Sequence, residues 1–166
     1  LVFFLKKFGS KIKISKRTIT IIGKKSIKDK IKHSIIFDRI EAGTYLIAGT
    51  LAGKRMKIKN IDSKFLKNEI RILKKIGARI SVFKNFISIL KSLKLKKFSI
   101  STKPYPGFPT DLQAQLMVLM TQAKGVSKIK ENIFENRFMH VPELKRMGAK
   151  IEIKNKTAYI FGPTNL

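Results

Sequence analysis

Between Thr102 and Met147 the chain sets a strand end, a proline-bounded turn, a helix start, an acid and an arginine in an order that chemistry could use. Pro104, Pro106, Gly107 and Pro109 exclude regular structure and stiffen a loop. Thr110 is the expected N-cap of the helix that follows, its hydroxyl accepting from the amide of Gln113, whose side chain can reach back as in a capping box. Asp111 then falls at the first helical position. There its carboxylate faces the partial positive end of the helix and the mouth of a rigid loop, a place for a working acid or base. An acid in a first turn also answers the helix dipole alone, and the residues by themselves leave both readings open.

The elements that must position this stretch come from a repeat. Leu5-Lys6-Lys7-Phe8-Gly9-Ser10-Lys11-Ile12 recurs as Leu73-Lys74-Lys75-Ile76-Gly77-Ala78-Arg79-Ile80 and as Leu144-Lys145-Arg146-Met147-Gly148-Ala149-Lys150-Ile151, with the glycines 68 and 71 positions apart. Each copy reads as an amphipathic helix ending at a glycine suited to the left-handed cap, with a strand directly after it. A hairpin follows each time. Ile12 and Ile14 face Ile19 and Ile21 across Ser15-Lys16-Arg17; Ile80 and Val82 precede Lys84-Asn85 and Phe86–Ile89; Ile151 and Ile153 precede Asn155-Lys156 and Tyr159-Ile160.

Earlier in each unit the spacing predicts a helix over Asp38–Leu51, where Gly43, Gly49 and Gly53 permit close approach, and its counterpart over Thr110–Ala123. Strands are expected at Arg55–Lys59 and Val126–Lys130, second helices at Ser63–Ile76 and about Pro142–Met147, and lead-in strands at Ser34–Phe37 and Phe98–Thr102. The fold class is therefore α/β, built of β-α-β-α-β-β units. The chain holds the tail of one unit (Leu1 to about Lys28), a second (about Lys30 to Leu90) and a third (about Phe98 to Phe161), about two and a third in all. The lysine-rich joins Lys24–Lys32 and Lys91–Lys97 are the candidate linkers, and one should separate domains.

Among the 166 residues, 37 Lys and Arg against 10 Asp and Glu give a formal charge of +27, which points towards polyanions. The cations are nearly all lysines, interleaved with isoleucines over every segment, so much of the charge also reads as solvated decoration. The 43% hydrophobic content excludes a disordered chain, and zero cysteines exclude disulfides, thiolate metal sites and a thiol nucleophile within these residues. LVFFL is short, meets lysines at once and lacks a small-residue cleavage site, unlike a signal peptide, and no run approaches membrane-spanning length. A cytoplasmic protein is expected. The chain opens without methionine, inside what reads as a helix, which points to a fragment.

DRIEAGT (Asp38 to Thr44), PYPGFPTDLQAQ (Pro104 to Gln115), IFENRFMHVPELKRMGA (Ile133 to Ala149) and the repeat together closely resemble the enolpyruvyl transferases, within them the members that act on a UDP-sugar. The resemblance implies an inside-out α/β barrel (α/β prism), with Leu1 to about Phe37 finishing a first domain and residues 38–166 supplying two units of a second, the third unit missing. It implies transfer of the enolpyruvyl group of phosphoenolpyruvate to the 3-hydroxyl of UDP-N-acetylglucosamine, the committed step of peptidoglycan synthesis, with no metal or organic cofactor. By that likeness Asp111 is the catalytic aspartate, taking the sugar hydroxyl's proton. Ile133 contacts the UDP-sugar mainly through its backbone, Phe134 belongs to the same wall, and Thr110 joins the substrate-binding residues. Arg137 is a cleft arginine whose fork suits phosphate or carboxylate, the alternative being a surface pair with Glu135 or Glu143.

Other candidates carry less. His140 is expected to cap or pack near Pro142, His33 stands alone, and the Met117–Met120 stripe is core. Asp38, Arg39 and Glu41 are expected to form hydrogen bonds at an interdomain hinge. The resemblance also calls for a Lys-Asn pair, a mobile loop with a cysteine acid, and further phosphate-gripping arginines, none of which can be placed in this chain. A fragment with little or no turnover, in need of a complementing chain, is the expectation. A basic RNA-binding module is the alternative from a different class, although the twelve Phe and three Tyr are scattered along the chain; an inactive, decayed remnant is the third reading.

Overall fold

The lysine-isoleucine alternations fold as hairpins in a computed structural model of the chain, which describes residues 1–23, 26 and 30–166. Two compact units are present, Leu1–Ile36 and Phe37–Leu166. In the first, helix α1 (Val2–Lys7) leads through Gly9 into strands β1 (Lys11–Ser15) and β2 (Thr18–Ile22). These pair antiparallel in the expected register, Ile12 opposite Ile21 and Ile14 opposite Ile19, with Lys16 at positive φ in the turn. Only Ile12 of this hairpin is buried. Phe4 meets Phe8 and His33 edge-on at 5.0 and 5.1 Å, so His33 serves as packing. Of the Lys24–Lys32 join, residues 24, 25 and 27–29 lie outside the described ones.

The second unit opens with α2 (Arg39–Leu51), capped by Asp38, whose carboxylate accepts from Ile40 N at 2.7 Å and Glu41 N at 3.3 Å. Then come β3 (Arg55–Lys59), a 3₁₀ turn over Ser63–Leu66, α3 (Lys67–Ile76), β4 (Arg79–Val82) and β5 (Phe86–Leu90). The series recurs as β6 (Ser99–Ser101), a 3₁₀ turn over Thr110–Leu112, α4 (Gln113–Thr121), β7 (Gly125–Lys130), α5 (Val141–Arg146), β8 (Lys150–Lys154) and β9 (Thr157–Gly162). The sheets run β3-β5-β4 and β6-β7-β9-β8, so β3, β5 and β4 take the places of β7, β9 and β8. All pairings are antiparallel except β6 with β7.

One apolar core joins the repeats, with Leu46 and Ile47 of α2, Ile87 and Ile89 of β5, Leu116, Met117, Leu119 and Met120 of α4, and Ile129 and Ile160 of the larger sheet all buried. The Met117–Met120 stripe is core, as its spacing predicts. Helix α2 approaches the 3₁₀ turn that leads into α4 closely at Gly43, where an added Cβ would stand 2.5 Å from Leu112 Cδ1. Gly77 and Gly148 sit at φ 112° and 105°, the left-handed cap the repeat predicts, each handing the chain to a strand.

Two expectations are corrected. Ser34–Phe37 forms no strand. Its counterpart β6 is separated from the next helix by the loop 102–109 and so can lie along β7, whereas Asp38 alone stands between Phe37 and α2. Phe37 instead packs against the core, 6.1 Å from the Phe65 ring. Nor is Lys91–Lys97 a loose linker: Ser92 and Leu95 are buried, Ser92 N donates to Thr50 O, Lys96 N to Ile76 O, and Lys124 N to Leu95 O, stitching one repeat to the other.

Candidate active site

The proline loop closes on itself before it delivers Asp111. Lys103 N donates to Phe108 O at 2.9 Å and Gly107 N to Pro104 O at 2.7 Å, while Phe108 is buried beneath. A Cβ on Gly107 would stand 2.4 Å from Lys103 Cβ, so the turn tolerates only glycine without shifting. Outside this loop, the Arg39 guanidinium lies over the Tyr105 ring at 5.0 Å and bonds Glu69 Oε1 at 3.0 Å, tying the loop to α2 and α3.

Asp111 emerges with its side chain 57% exposed and accepts from Arg137 Nη2 at 2.7 Å. Arg137 pairs with neither Glu135 nor Glu143; Glu143 takes Arg146 instead. The guanidinium also sits 5.5 Å from the Phe134 ring centroid. Asn136 supplies the turn that brings Arg137 back, at φ 52°, a conformation asparagine tolerates. Asp111, Arg137 and Phe134 thus form one exposed cluster, with Ile133 beside Phe134 and 37% exposed. The structure brings together four of the five site residues read from the sequence.

Thr110, the fifth, lies beneath the surface. The capping box does not form: the Thr110 hydroxyl turns inward and donates to Glu131 Oε2 at 2.8 Å, and the buried Gln113 side chain leaves Nε2 without a protein partner. A buried carboxylate engages that hydroxyl more strongly than a backbone amide does, and it lies 21 positions away, out of reach of any local rule. Glu131 is the functional candidate that sequence reasoning missed. It is 2% exposed and accepts from Thr102 Oγ1 at 2.7 Å, Ile133 N at 2.8 Å and Phe134 N at 3.3 Å as well. Burial pushes its carboxyl up, but these donors together outweigh burial and hold it below the ordinary glutamate value. With the Ile133 N–H so engaged, the carbonyl is the part of its backbone left to face a ligand.

His140 occupies the N-cap position of α5 without a side-chain capping bond, which leaves packing as its role; burial, and next Arg137, lower its pKa. Asp38 and Arg39 are engaged within the second unit, Asp38 as a cap and Arg39 with Glu69. Among the described residues no cluster of three or more His, Asp or Glu could hold a metal ion, and no helix is long and apolar enough to cross a membrane.

An α-β-α-β-β series that recurs, opened by the lead-in strand β6 only in its second copy, with Asp111 and Arg137 in the segments that follow β6 and β7, defines an incomplete α/β fold. Residues 1–166 match the family described as EPSP synthase (3-phosphoshikimate 1-carboxyvinyltransferase), and the chain belongs to that family. It is 55% identical over 163 residues to the UDP-N-acetylglucosamine 1-carboxyvinyltransferase of Pelagibacter ubique, and 45% identical over 164 residues to one from Caldanaerobacter subterraneus subsp. tengcongensis; each comparison covers 98% of this chain and 39% of the relative. The crystal structure of the enolpyruvyl transferase NikO from Streptomyces tendae matches with a TM-score of 0.86 at 26% identity, over 98% of this chain and 39% of that one. EPSP synthase from Acinetobacter baumannii, at TM-score 0.67, 19% identity and 96% and 39% coverage, shares the fold. The chain spans about 39% of the length of the curated relatives it matches. The family resemblance and the incomplete α/β fold expected from the sequence both stand.

Proposed function

We propose that this chain forms part of an enzyme that transfers the enolpyruvyl group of phosphoenolpyruvate to the 3-hydroxyl of UDP-N-acetylglucosamine. The observation that carries the reading is the meeting of Asp111 and Arg137 beside the Ile133–Phe134 turn, in a chain 55% identical to a transferase of that name. Asp111 takes the hydroxyl proton as that oxygen bonds to C2 of phosphoenolpyruvate, the electrons of the broken double bond capturing a proton from an acid or water at C3; phosphate then leaves C2 as a proton is lost from C3, which restores the double bond. Arg137 offers a planar fork that matches a phosphate or carboxylate, which would compete with Asp111 for it. Ile133 and Phe134 form the apolar wall against which a sugar nucleotide rests.

In this reading residues 1–37 are the tail of a first domain and 38–166 two repeats of a second. The reaction is the first committed step of peptidoglycan synthesis, carried out in the cytoplasm. A complementing chain supplies the opposite wall of the cleft.

One observation favours a second reading, a basic RNA-binding surface. Phe83 and Phe86, far from scattered, stack at 4.4 Å on the outer face of β3-β5-β4, with Lys57 over Phe86 at 5.3 Å and Arg55 nearby. Calorimetric titration with UDP-N-acetylglucosamine and with a generic RNA oligomer at moderate salt separates the two. The enzyme reading expects saturable sugar-nucleotide binding, weakened about tenfold or more by Asp111→Asn and by Arg137→Ala. Salt-quenched RNA binding without sugar-nucleotide binding overturns it.

A further inference from the structure

We infer that Glu131 is a positioning residue for the candidate site: one buried carboxylate that clamps the loop carrying Asp111 to the turn carrying Ile133, Phe134 and Arg137. The geometry is specific. Oε2 takes only the Thr110 hydroxyl, next to Asp111, whereas Oε1 takes Thr102 Oγ1 and the amides of Ile133 and Phe134. Thr102 completes the circuit, because its own oxygen accepts from Asn132 N at 2.9 Å. Glu131 is itself anchored at the end of β7 by its amide, which donates to Lys156 O at 2.8 Å, and Thr102 is held at the end of β6 by its amide donating to Lys130 O at 2.9 Å. The two segments approach each other from separate stretches of chain, 21 and more positions apart, and this carboxylate links them. Thr102 and Glu131 are 0% and 2% exposed, so water does not replace any strut that is lost.

A carboxylate suits this post better than an amide. Four donors converge on its two oxygens, and an ionised group accepts all four with roughly doubled strength. The lowered pKa agrees with that arrangement. The clamp is therefore present at neutral pH and is released as pH falls through the lowered value.

This inference deepens the functional reading above, since the two segments need a fixed spacing only if one ligand touches both. Its test does not depend on that ligand. Hydrogen exchange is followed on the full chain and on Glu131→Gln, Glu131→Ala and Thr110→Val, at a temperature where all remain folded by circular dichroism. Glu131→Gln is expected to raise exchange in 103–112 and 132–137 together by about tenfold to a hundredfold, with β8 and β9 unchanged. Thr110→Val removes a single strut and is expected to free 103–112 while 132–134 stay protected. If Glu131→Gln leaves both segments as protected as in the unaltered chain, or if every amide in 37–166 speeds up alike, the clamp is wrong and Glu131 serves global stability only. A second measurement tests the link to function: UDP-N-acetylglucosamine affinity falls about tenfold in Glu131→Gln, and that loss vanishes in an Asp111→Asn background. Equal losses in both backgrounds overturn positioning through Asp111. An unaltered chain that binds no sugar nucleotide refutes the functional reading, and the exchange pattern still decides the clamp.

Discussion

Glu69 and Glu131 are both 2% exposed, yet their surroundings drive their carboxyls in opposite directions. Burial raises Glu69, more than a backbone amide and the attraction of Arg39 offset, whereas four donors bring Glu131 down. The folded chain thus holds a proton on Glu69 more tightly than the unfolded chain does. That contribution is complete below the ordinary carboxyl range and is lost as pH rises through the raised value. Glu131 contributes above its ordinary value and loses that contribution as pH falls through the lowered one. In thermal melts between about pH 3 and 8, Glu69→Gln is expected to remove the decline with rising pH, while Glu131→Gln removes the loss on acidification. At neutral pH Arg39→Ala, which strands Glu69 without its partner, costs about 1–3 kcal/mol, less than a fully buried pair because the arginine side chain is 27% exposed. None of these pairs was legible in the sequence. Asp111 was, because a proline-bounded turn before a helix is a local pattern, while its partner lies 26 positions away.

Elements governed by neighbouring residues were legible, and those governed by distant ones were not. The three glycine-ended helices and the hairpins after them follow from left-handed caps and period-two alternation, and the hairpins form where expected, with Ile80 opposite Ile89 and Ile151 opposite Ile160. The capping box at Thr110 failed because a tertiary carboxylate outcompetes the local amide. The strand at Ser34–Phe37 failed because a sequence pattern does not show whether the chain has room to turn back beside its partner. Gly77 provides a direct measure of how strongly the local rule holds. A Cβ there would lie 2.7 Å from Lys94 O on a backbone at φ 112°, so Gly77→Ala is expected to lower stability by about 1–3 kcal/mol in denaturant melts. Gly23, where an added Cβ would meet nothing within 4 Å among the described residues, serves as the control, and Gly23→Ala should change little.

For the whole molecule, length relative to its family matters more than any single residue. A cleft that stabilises charge needs donors on both walls, and the chain spans about 39% of the relatives that carry the transferase name. The 166 residues alone are expected to release no phosphate from phosphoenolpyruvate above background in a coupled assay, and to gain turnover when a chain carrying the remaining segments of such a relative is added. Turnover by the isolated chain would sink the two-walled reading.

The smaller sheet ends in β3, whose far edge pairs with no strand among the described residues and whose sequence, RMKIK, puts a cation at every second position. Two copies of the chain meeting edge to edge would oppose like charges along the whole seam, a barrier that keeps such an edge solitary at low ionic strength. That protection is conditional. Heparin, polyphosphate or concentrated salt would erase it, so the same lysines that ward off fibrillar stacking in dilute buffer make the chain prone to coacervation or β-aggregation wherever polyanions accumulate.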